Sequence, residues 1–534
     1  MSATNGITAP DNRAWNRHER LAAYIVFFTA LALYIATAAP SYIWGDSTKL
    51  LFYVLEKKFL GLGAGFGTHP LHNVLGYAFS LLPVSFAYSQ NLLSAVFAAA
   101  SVCVTYGILM ESVGDIRAAL AASVSLAVSH VFWLYAVINE SYSLLSFSIL
   151  LALFLCLKWT REHKDWHLYA LGFMLGAGLA NHALLLLALP GLLYMVWGNR
   201  FFEFCLSWRL VVACLAFLIG SCQILLIPIA QTGNLSSFVT QLTGDTSATY
   251  QTFAGSSLKF VGELSTYPLY LLYQFPGLAI VLGVIGCAVG FRQSNRLVVG
   301  SALIAAPILL FAAQFMRQRQ FPMMLPTFDM FAIWIGFGAH FMFGKFPLLR
   351  STAACATLLA SLALLPPVVY YAASRIAEAV QYDVSFIRNQ PYRNPYSYYL
   401  FPPKQHEDGP QRYVEDSFKQ AKPGAIILAD FVPGLVLVYE QRILGRRKDL
   451  ELDVFIDDWV HYSRDPSSAI LEFIRSHVGV DGRTLYLADE WEAYYHVADV
   501  RKEFDLQRIE GPLWEVTTRD GRSPALSSPR PNSM

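Results

Sequence analysis

Eleven apolar runs constrain this chain more than any other feature of its sequence. They lie at about 21–39, 90–110, 118–137, 142–158, 167–181, 183–198, 210–230, 266–290, 297–315, 322–342 and 351–371. A helix that crosses a bilayer needs about 20 mostly apolar residues, fewer where neighbours shield it. Hydrocarbon offers no partner to backbone N–H and C=O groups, so such runs fold as helices. Only 14% of the 534 residues are charged, against about 25% in soluble domains. The same figures exclude a disordered, collagen-like or disulfide-stapled chain. The net charge of +1 leaves no basic footprint, so no nucleic-acid partner is expected. The sequence reads as an α-helical polytopic membrane protein with a soluble tail.

Charge gives the runs a direction. Arg13, Arg17 and Arg20 precede the first run, which reads as an uncleaved anchor. The segment 71–86 is the ambiguous one. Left out of the count, it puts Arg117, Lys158, Arg161, Lys164, Arg200, Arg209, Arg292, Arg296, Lys345 and Arg350 in inside loops. Between that segment and the tail, only Lys259, Arg317 and Arg319 then fall in outside loops, as the positive-inside rule requires. Counting it as a span reverses every later loop. It is therefore expected to be a helix lying in the membrane interface. The expected order is a cytoplasmic tail at 1–20, a membrane domain at 21–371 whose first outer loop is 40–89, and a surface connector at 372–412. A small outer α/β domain follows at 413–520, then a disordered Pro/Ser-rich end at 521–534.

Within the tail, AIILAD (425–430), LDVFI (452–456) and TLYLAD (484–489) read as strands. They alternate with helical patterns near 433–445, 466–478 and 491–498, and a last run at 513–518 reads as an edge strand. Asp430, Asp457 and Asp489 follow strands, where α/β sheets place ligands, although capping of the following helices is the preferred explanation. Residues 388–412 read as an extended Tyr- and Pro-rich connector. All seven cysteines lie in or beside apolar runs, with no metal-ligand spacing, so they read as small buried hydrophobes.

Few residues on the expected outer face carry chemistry. Asp46, in YIWGDSTKL, can act as a general base or simply cap a helix. Glycines 61, 63, 65 and 67 precede His69 and His72, without a Walker lysine and without an evident third metal ligand. Glu140 lies in a turn between spans beside Tyr142, and Asn181–His182 join two short runs. These can bind substrate or tie helices together. Arg317 and Arg319 stand at a span end, suited to phosphate or to lipid headgroups, and Asp329 lies deeper in the following span as a candidate partner.

The order of these motifs resembles a known family. WGDS, GTHP, the SLLP that ends the short helix, NLLSAVFAAASV, WLYAVINESYSLL and GLANHALLLLALP occur in sequence. This is similar to the GT-C superfamily of membrane glycosyltransferases. Within it, the pattern looks most like a bacterial family related to the animal transmembrane O-mannosyltransferases that modify plexin-type receptors. The likeness covers about 25–200 well. It extends loosely through YYLFPPK and KPGAIILADF in the tail.

The resemblance implies a GT-C-like fold with a lipid-phosphate-linked sugar as donor and catalysis on the outer face of a bacterial inner or plasma membrane. It maps the loop acid onto Asp46, the His-Pro step onto His69 and Pro70, the second acidic motif onto Glu140, and the Asn-His step onto Asn181 and His182. A basic late motif maps loosely onto Arg317 and Arg319. Three departures stand out. Asp46-Ser47-Thr48-Lys49 replaces the usual Asp-Ser-Gly-Glu, His69-Pro70-Leu71-His72 replaces His-Pro-Pro-Gly, and the late motif reads RQRQ.

The expected reaction is inverting transfer from a polyprenyl-phosphate sugar to a hydroxyl of an acceptor protein or glycan. Asp46 is the expected base. Arg317, Arg319 and His69 are expected at the phosphate, and Glu140, Tyr142, Asn181, His182 and His72 at the substrates. Besides donor and acceptor, membrane lipids are the expected partners. No cofactor and no obligatory metal are expected, because a monophosphate leaving group needs no diphosphate clamp. A flippase for a lipid-linked sugar is the rival, weakened by the absence of an internal repeat and by the scarcity of ionisable groups deep in the spans.

Overall fold

The computed structural model describes residues 15–57, 69–224, 257–315, 321–383, 388–455, 466–508 and 510–519. It divides into two compact units. The first comprises Met1–Ala39, Tyr53–Tyr382 and Tyr396–Gln405, and the second Pro40–Phe52, Asp383–Pro395 and His406–Met534.

The first unit is helical. In chain order it contains α1 (Arg17–Thr37), only the end, from Tyr53, of α2 (Asp46–Leu55), α3 (Pro70–Phe79), α4 (Phe86–Val113), α5 (Ile116–Ala127), α6 (His130–Ala136), α7 (Tyr142–Glu162) and α8 (Trp166–Asn181). A 3-10 turn at Ala183–Ala188 leads to α9 (Leu189–Val196), α10 (Asn199–Cys205) and α11 (Trp208–Gly220). Then come α12 (Ser257–Gln274), α13 (Leu278–Arg292), α14 (Arg296–Phe315), α15 (Phe321–Lys345) and α16 (Thr352–Ala379). Among the described residues five helices are long and apolar enough to cross a membrane: α1, α4, α7, α14 and α16. Counting the pairs α5–α6 and α9–α10, bent by 68° and 116°, as single spans raises this to seven. The chain is an integral membrane protein.

Two details refine the reading of the runs. The ten residues of α3 rise about 15 Å, half the hydrocarbon thickness, so this helix does not span. The run at 266–290 is divided between α12 and α13 at Pro276–Gly277. Proline cannot continue the helical ladder there, and Gly277 takes a φ of 70° that a side chain would resist.

Packing within the bundle relies on small residues. A β-carbon at Gly286 would strike the Trp334 carbonyl, and one at Gly338 the Leu282 carbonyl, so α13 and α15 touch backbone to backbone. The ends of the helices sort into two sets. At one end, Trp15, Lys158 and Arg161 converge on the buried Glu111 carboxylate at 2.8, 3.5 and 2.9 Å. At the other, the Ala39 N–H donates to the Val137 carbonyl (2.9 Å), and Asn91 donates to the Ala39 carbonyl (2.8 Å). There too Trp133 donates to Thr37 (2.9 Å). These bonds join the end of α1 to the start of α4 and the end of α6, as alternating antiparallel spans require.

Residues 396–405 also belong to the first unit, and include most of α17 (Pro395–Leu400). The Lys404 N–H donates to the Thr37 carbonyl and the Tyr273 hydroxyl to the Leu400 carbonyl, each at 2.8 Å. The stretch expected to be extended is therefore partly helical and shared between the units.

The second unit contains α18 (Gly409–Gln420), β1 (Ile426–Asp430), α19 (Phe431–Val438), β2 (Glu451–Phe455), α20 (Pro466–His477), β3 (Leu485–Leu487), α21 (Glu492–Tyr495), α22 (Val497–Glu503), β4 (Phe504–Gln507) and β5 (Trp514–Thr518). The sheet order is β2-β1-β3-β5-β4, with β1 parallel to β2 and β3 and the last two strands antiparallel. All of β1 and β3 is buried. β5 is an inner strand, not the edge expected from sequence. The edge is β4, whose FDLQ carries too little apolar pattern to announce a strand.

Candidate functional site

In the first unit, the chain places several of the expected residues at one end of the bundle. His69 precedes Pro70, the first residue of α3, in a left-handed conformation (φ 50°, ψ 59°). That backbone state costs a histidine about 1–3 kcal/mol and persists only where surroundings hold it. Here the ring does so, because His69 Nδ1 lies 2.6 Å from the Asn181 carbonyl oxygen. A carbonyl only accepts, so Nδ1 carries the proton and Nε2 is the basic nitrogen of the neutral ring.

Asn181 closes α8 and is 1% exposed. Its Nδ2 donates to the Ser141 carbonyl at 3.0 Å, and its buried Oδ1 takes no hydrogen bond among the described residues. Next in the chain, His182 accepts the Leu184 N–H at Nδ1 (3.2 Å), which leaves the proton on Nε2. Its ring centroid lies 5.2 Å from that of His69 and 5.4 Å from that of Tyr142. Glu140 is half-buried, one residue before Ser141, with its N–H against Ser94 Oγ at 3.2 Å.

The cluster thus gathers His69, Tyr142, Asn181 and His182 from three separate stretches of chain, with Glu140 two positions before Tyr142. It presents a basic imidazole nitrogen, an N–H donor, an amide oxygen and a phenol, a set suited to hydroxyl-rich ligands. His72 stands apart in accessibility. It is 1% exposed within α3, and burial, then the neighbouring His69, pushes its imidazole down to about 3. It is neutral at pH 7 and sits in the packing of α3. No group of three potential metal ligands occurs among the described residues.

Asp46 belongs to the second unit. It is the first residue of α2 and is exposed, directly after Gly45 (φ 76°). A carboxylate in the first helical turn is favoured by the helix dipole. Its neighbours are all held. Tyr42, Ile43, Trp44, Ser47 and Thr48 are buried, and the Thr48 hydroxyl donates to the Ile43 carbonyl. The Tyr42 hydroxyl donates to Glu440 Oε1 at 2.6 Å, and Arg446 meets the other carboxylate oxygen at 2.9 Å. Burial, then the bond to Glu440, pushes the Tyr42 phenol far up.

The acids after the strands behave differently from a ligand site. Asp430 caps α19, its Oδ1 accepting the Val432 N–H at 2.9 Å. Asp430 and Asp489 also grip Arg388, at 2.5 and 2.6 Å, with the guanidinium 4.4 Å from the Trp491 ring centre. The chain's own arginine fills the carboxyl ends of β1 and β3. Burial raises the Asp489 carboxyl above its ordinary value even though Arg388 opposes the shift.

Arg317, Arg319, Asp457 and the glycines at 61, 63, 65 and 67 lie outside the described residues. Asp329 is fully buried in α15, and neither carboxyl oxygen takes a hydrogen bond among the described residues. Tyr42, Glu440 and Arg388 had no sequence signal. Tyr42 and Glu440 stand 398 positions apart, and nothing local marks either one.

Known proteins resemble this chain in part of its sequence and in its fold. The family described as the protein O-mannosyl-transferase TMEM260 N-terminal domain matches residues 65–203. Among curated proteins none matches the chain significantly. Among solved structures, ArnT from Cupriavidus metallidurans in the apo state superposes with a TM-score of 0.55 at 13% identity. The alignment covers 92% of this chain and 97% of ArnT. The same protein bound to undecaprenyl phosphate gives a TM-score of 0.53 at 12% identity, with the same coverage. Over residues 65–203, then, the chain is similar to the N-terminal domain of a protein O-mannosyl-transferase, and across most of its length it has the fold of ArnT, the GT-C glycosyltransferase fold.

Proposed function

We propose that this chain is a membrane glycosyltransferase that moves a sugar from a polyprenyl-phosphate donor to an acceptor hydroxyl on the outer face of the membrane. One observation carries the reading. The stretch similar to the O-mannosyl-transferase domain, 65–203, contains Glu140 and also His69, Tyr142, Asn181 and His182, and the fold draws these last four into one polar cluster. The undecaprenyl phosphate bound by ArnT supports the choice of donor class.

In the proposed reaction, Asp46 takes the proton of the acceptor hydroxyl. The acceptor oxygen forms a bond to the anomeric carbon as the bond from that carbon to the phosphate oxygen breaks on the opposite face. The electron pair leaves with the polyprenyl phosphate, and the sugar is transferred with inversion. General-base help of this kind contributes about 10²–10⁴-fold. Arg317, Arg319 and His69 stabilise the departing phosphate. Glu140, Tyr142, Asn181 and His182 bind sugar or acceptor hydroxyls. A monophosphate leaving group of this charge does not require a metal.

The test is release of free polyprenyl phosphate by purified protein from a panel of polyprenyl-phosphate sugars, with and without acceptor. Acceptor-dependent release by the wild type, and its loss in Asp46→Asn, is the expected outcome. Full turnover by a normally folded Asp46→Asn protein overturns the role of Asp46. Movement of intact sugar lipid between leaflets, without consumption, replaces the transferase with a flippase.

A further inference from the structure

Residues 40–52 form the first loop of the chain, yet they fold as part of the second unit together with 406–534. Each side of Asp46 is fastened to that unit. On the N-terminal side, the Gln411 side chain donates to the Tyr42 carbonyl at 2.8 Å, while the Tyr42 hydroxyl donates to Glu440. The rings of Tyr42 and Tyr439 lie 4.8 Å apart, and those of Trp44 and Tyr413 5.4 Å apart. On the C-terminal side, the Lys49 ammonium lies 5.2 Å from the ring centre of Phe431, and Phe52 packs edge-on against Tyr439.

The gripping residues come from α18, from α19 and from the turn that follows α19. Tyr42, Trp44, Tyr413, Tyr439 and Glu440 are each buried. Asp46 is the exposed residue in this run of held neighbours. A buried carboxylate that bridges a phenol and an arginine fixes geometry more than it adds stability, because its charge must first be desolvated.

We propose that the C-terminal α/β unit is a clamp for the Asp46 loop, with Tyr42 and Glu440 as its positioning residues. This rests on Asp46 being the base. It assigns the tail to the chemistry of this chain rather than to capture of a partner. A carboxylate that must meet an acceptor hydroxyl at hydrogen-bond distance gains from such fixing, since a displacement of about 1 Å can cost about 10²-fold in rate.

Tyr42→Phe removes one hydroxyl and keeps the ring contacts. Its kcat should fall about 10- to 100-fold while KM for the donor stays within about twofold. Hydrogen exchange of the amides at 43–49 should quicken, with the rest of the protein unchanged. Glu440→Gln retains an acceptor for Tyr42 and should lose less activity than Glu440→Ala. In an Asp46→Asn background, Tyr42→Phe should have no further effect, because it acts through Asp46.

Wild-type kcat in Tyr42→Phe, unaltered exchange at 43–49, or the same fold-loss with and without Asp46 overturns the clamp. If Asp46→Asn is inactive while Tyr42→Phe is normal, the clamp fails and the base stands. If Asp46→Asn is fully active, the base itself fails.

Discussion

The Nδ1 of His69 lies 2.6 Å from the carbonyl oxygen of Asn181, a hydrogen bond that closes 112 positions of chain. It orders the start of α3 against the end of α8 and fixes which imidazole nitrogen is basic. Two substitutions separate these consequences. His69→Ala removes the bond and the basic nitrogen, and kcat/KM for sugar release should fall by about 10²-fold or more. Asn181→Ala keeps the carbonyl that His69 uses but removes the side-chain donor to the Ser141 carbonyl, which still accepts the Leu145 N–H at 3.1 Å. It should cost about 0.5–1.5 kcal/mol of stability, read as a lowered melting temperature in detergent.

Arg388 neutralises two buried carboxylates, Asp430 and Asp489. Arg388→Ala strands both and should destabilise the second unit by about 3–5 kcal/mol at pH 7.5. The loss depends on pH with a definite sign. The folded Asp489 carboxyl already titrates above its ordinary 3.8, chiefly through burial, and removing Arg388 raises it further. A carboxyl raised on folding binds more protons in the native than in the unfolded state, so stability falls as pH rises through the interval between the two values. The Arg388→Ala protein should therefore be closer to wild type at pH 5 than at pH 7.5. A deficit that widens on acidification contradicts this.

Gly286 and Gly338 bring α13 and α15 into backbone contact. Gly286→Val forces the Trp334 carbonyl away and should cost about 1–3 kcal/mol of overpacking strain. Gly344 on α15 has open space where a β-carbon would be, so Gly344→Ala is the control that should melt like wild type. Equal melting of the two variants would show that the close approach is not required.

The proposed orientation, amino terminus inside and carboxyl terminus outside, has a direct readout. A phosphatase that is active only outside, fused after Met534, should be active, and one fused after Lys164 should not. The opposite pattern reverses the assignment of the polar cluster to the outer face.

Much of the bundle was legible because its signals are local. The apolar runs at 90–110, 142–158, 297–315, 322–342 and 351–371 each correspond to one continuous helix. The charge bias left 71–86 out of the spans, and the helix found there, α3, has ten residues. Where a local rule was missed, the cause was also local. Pro276 and Gly277 divide a run that hydropathy alone reads as whole. FDLQ forms β4 because β5 lies beside it, and not through any preference of its own.

The candidate residues divide along the same line. GTHP, NES and GLANH marked His69, Glu140 and Asn181–His182 one by one, each by its unusual polarity beside apolar sequence. Their convergence depends on how α3, α7 and α8 pack.

The sequence by itself determined a polytopic helical protein with a β-containing tail, and nominated the polar groups at one set of helix ends. Hydrophobicity and propensity act residue by residue, so they can be read in order along the chain. Only the tertiary structure joined the Asp46 loop to the α/β unit and set Arg388 between Asp430 and Asp489. Those contacts depend on side chains meeting across tens to hundreds of residues, through burial and hydrogen-bond geometry that no local pattern encodes.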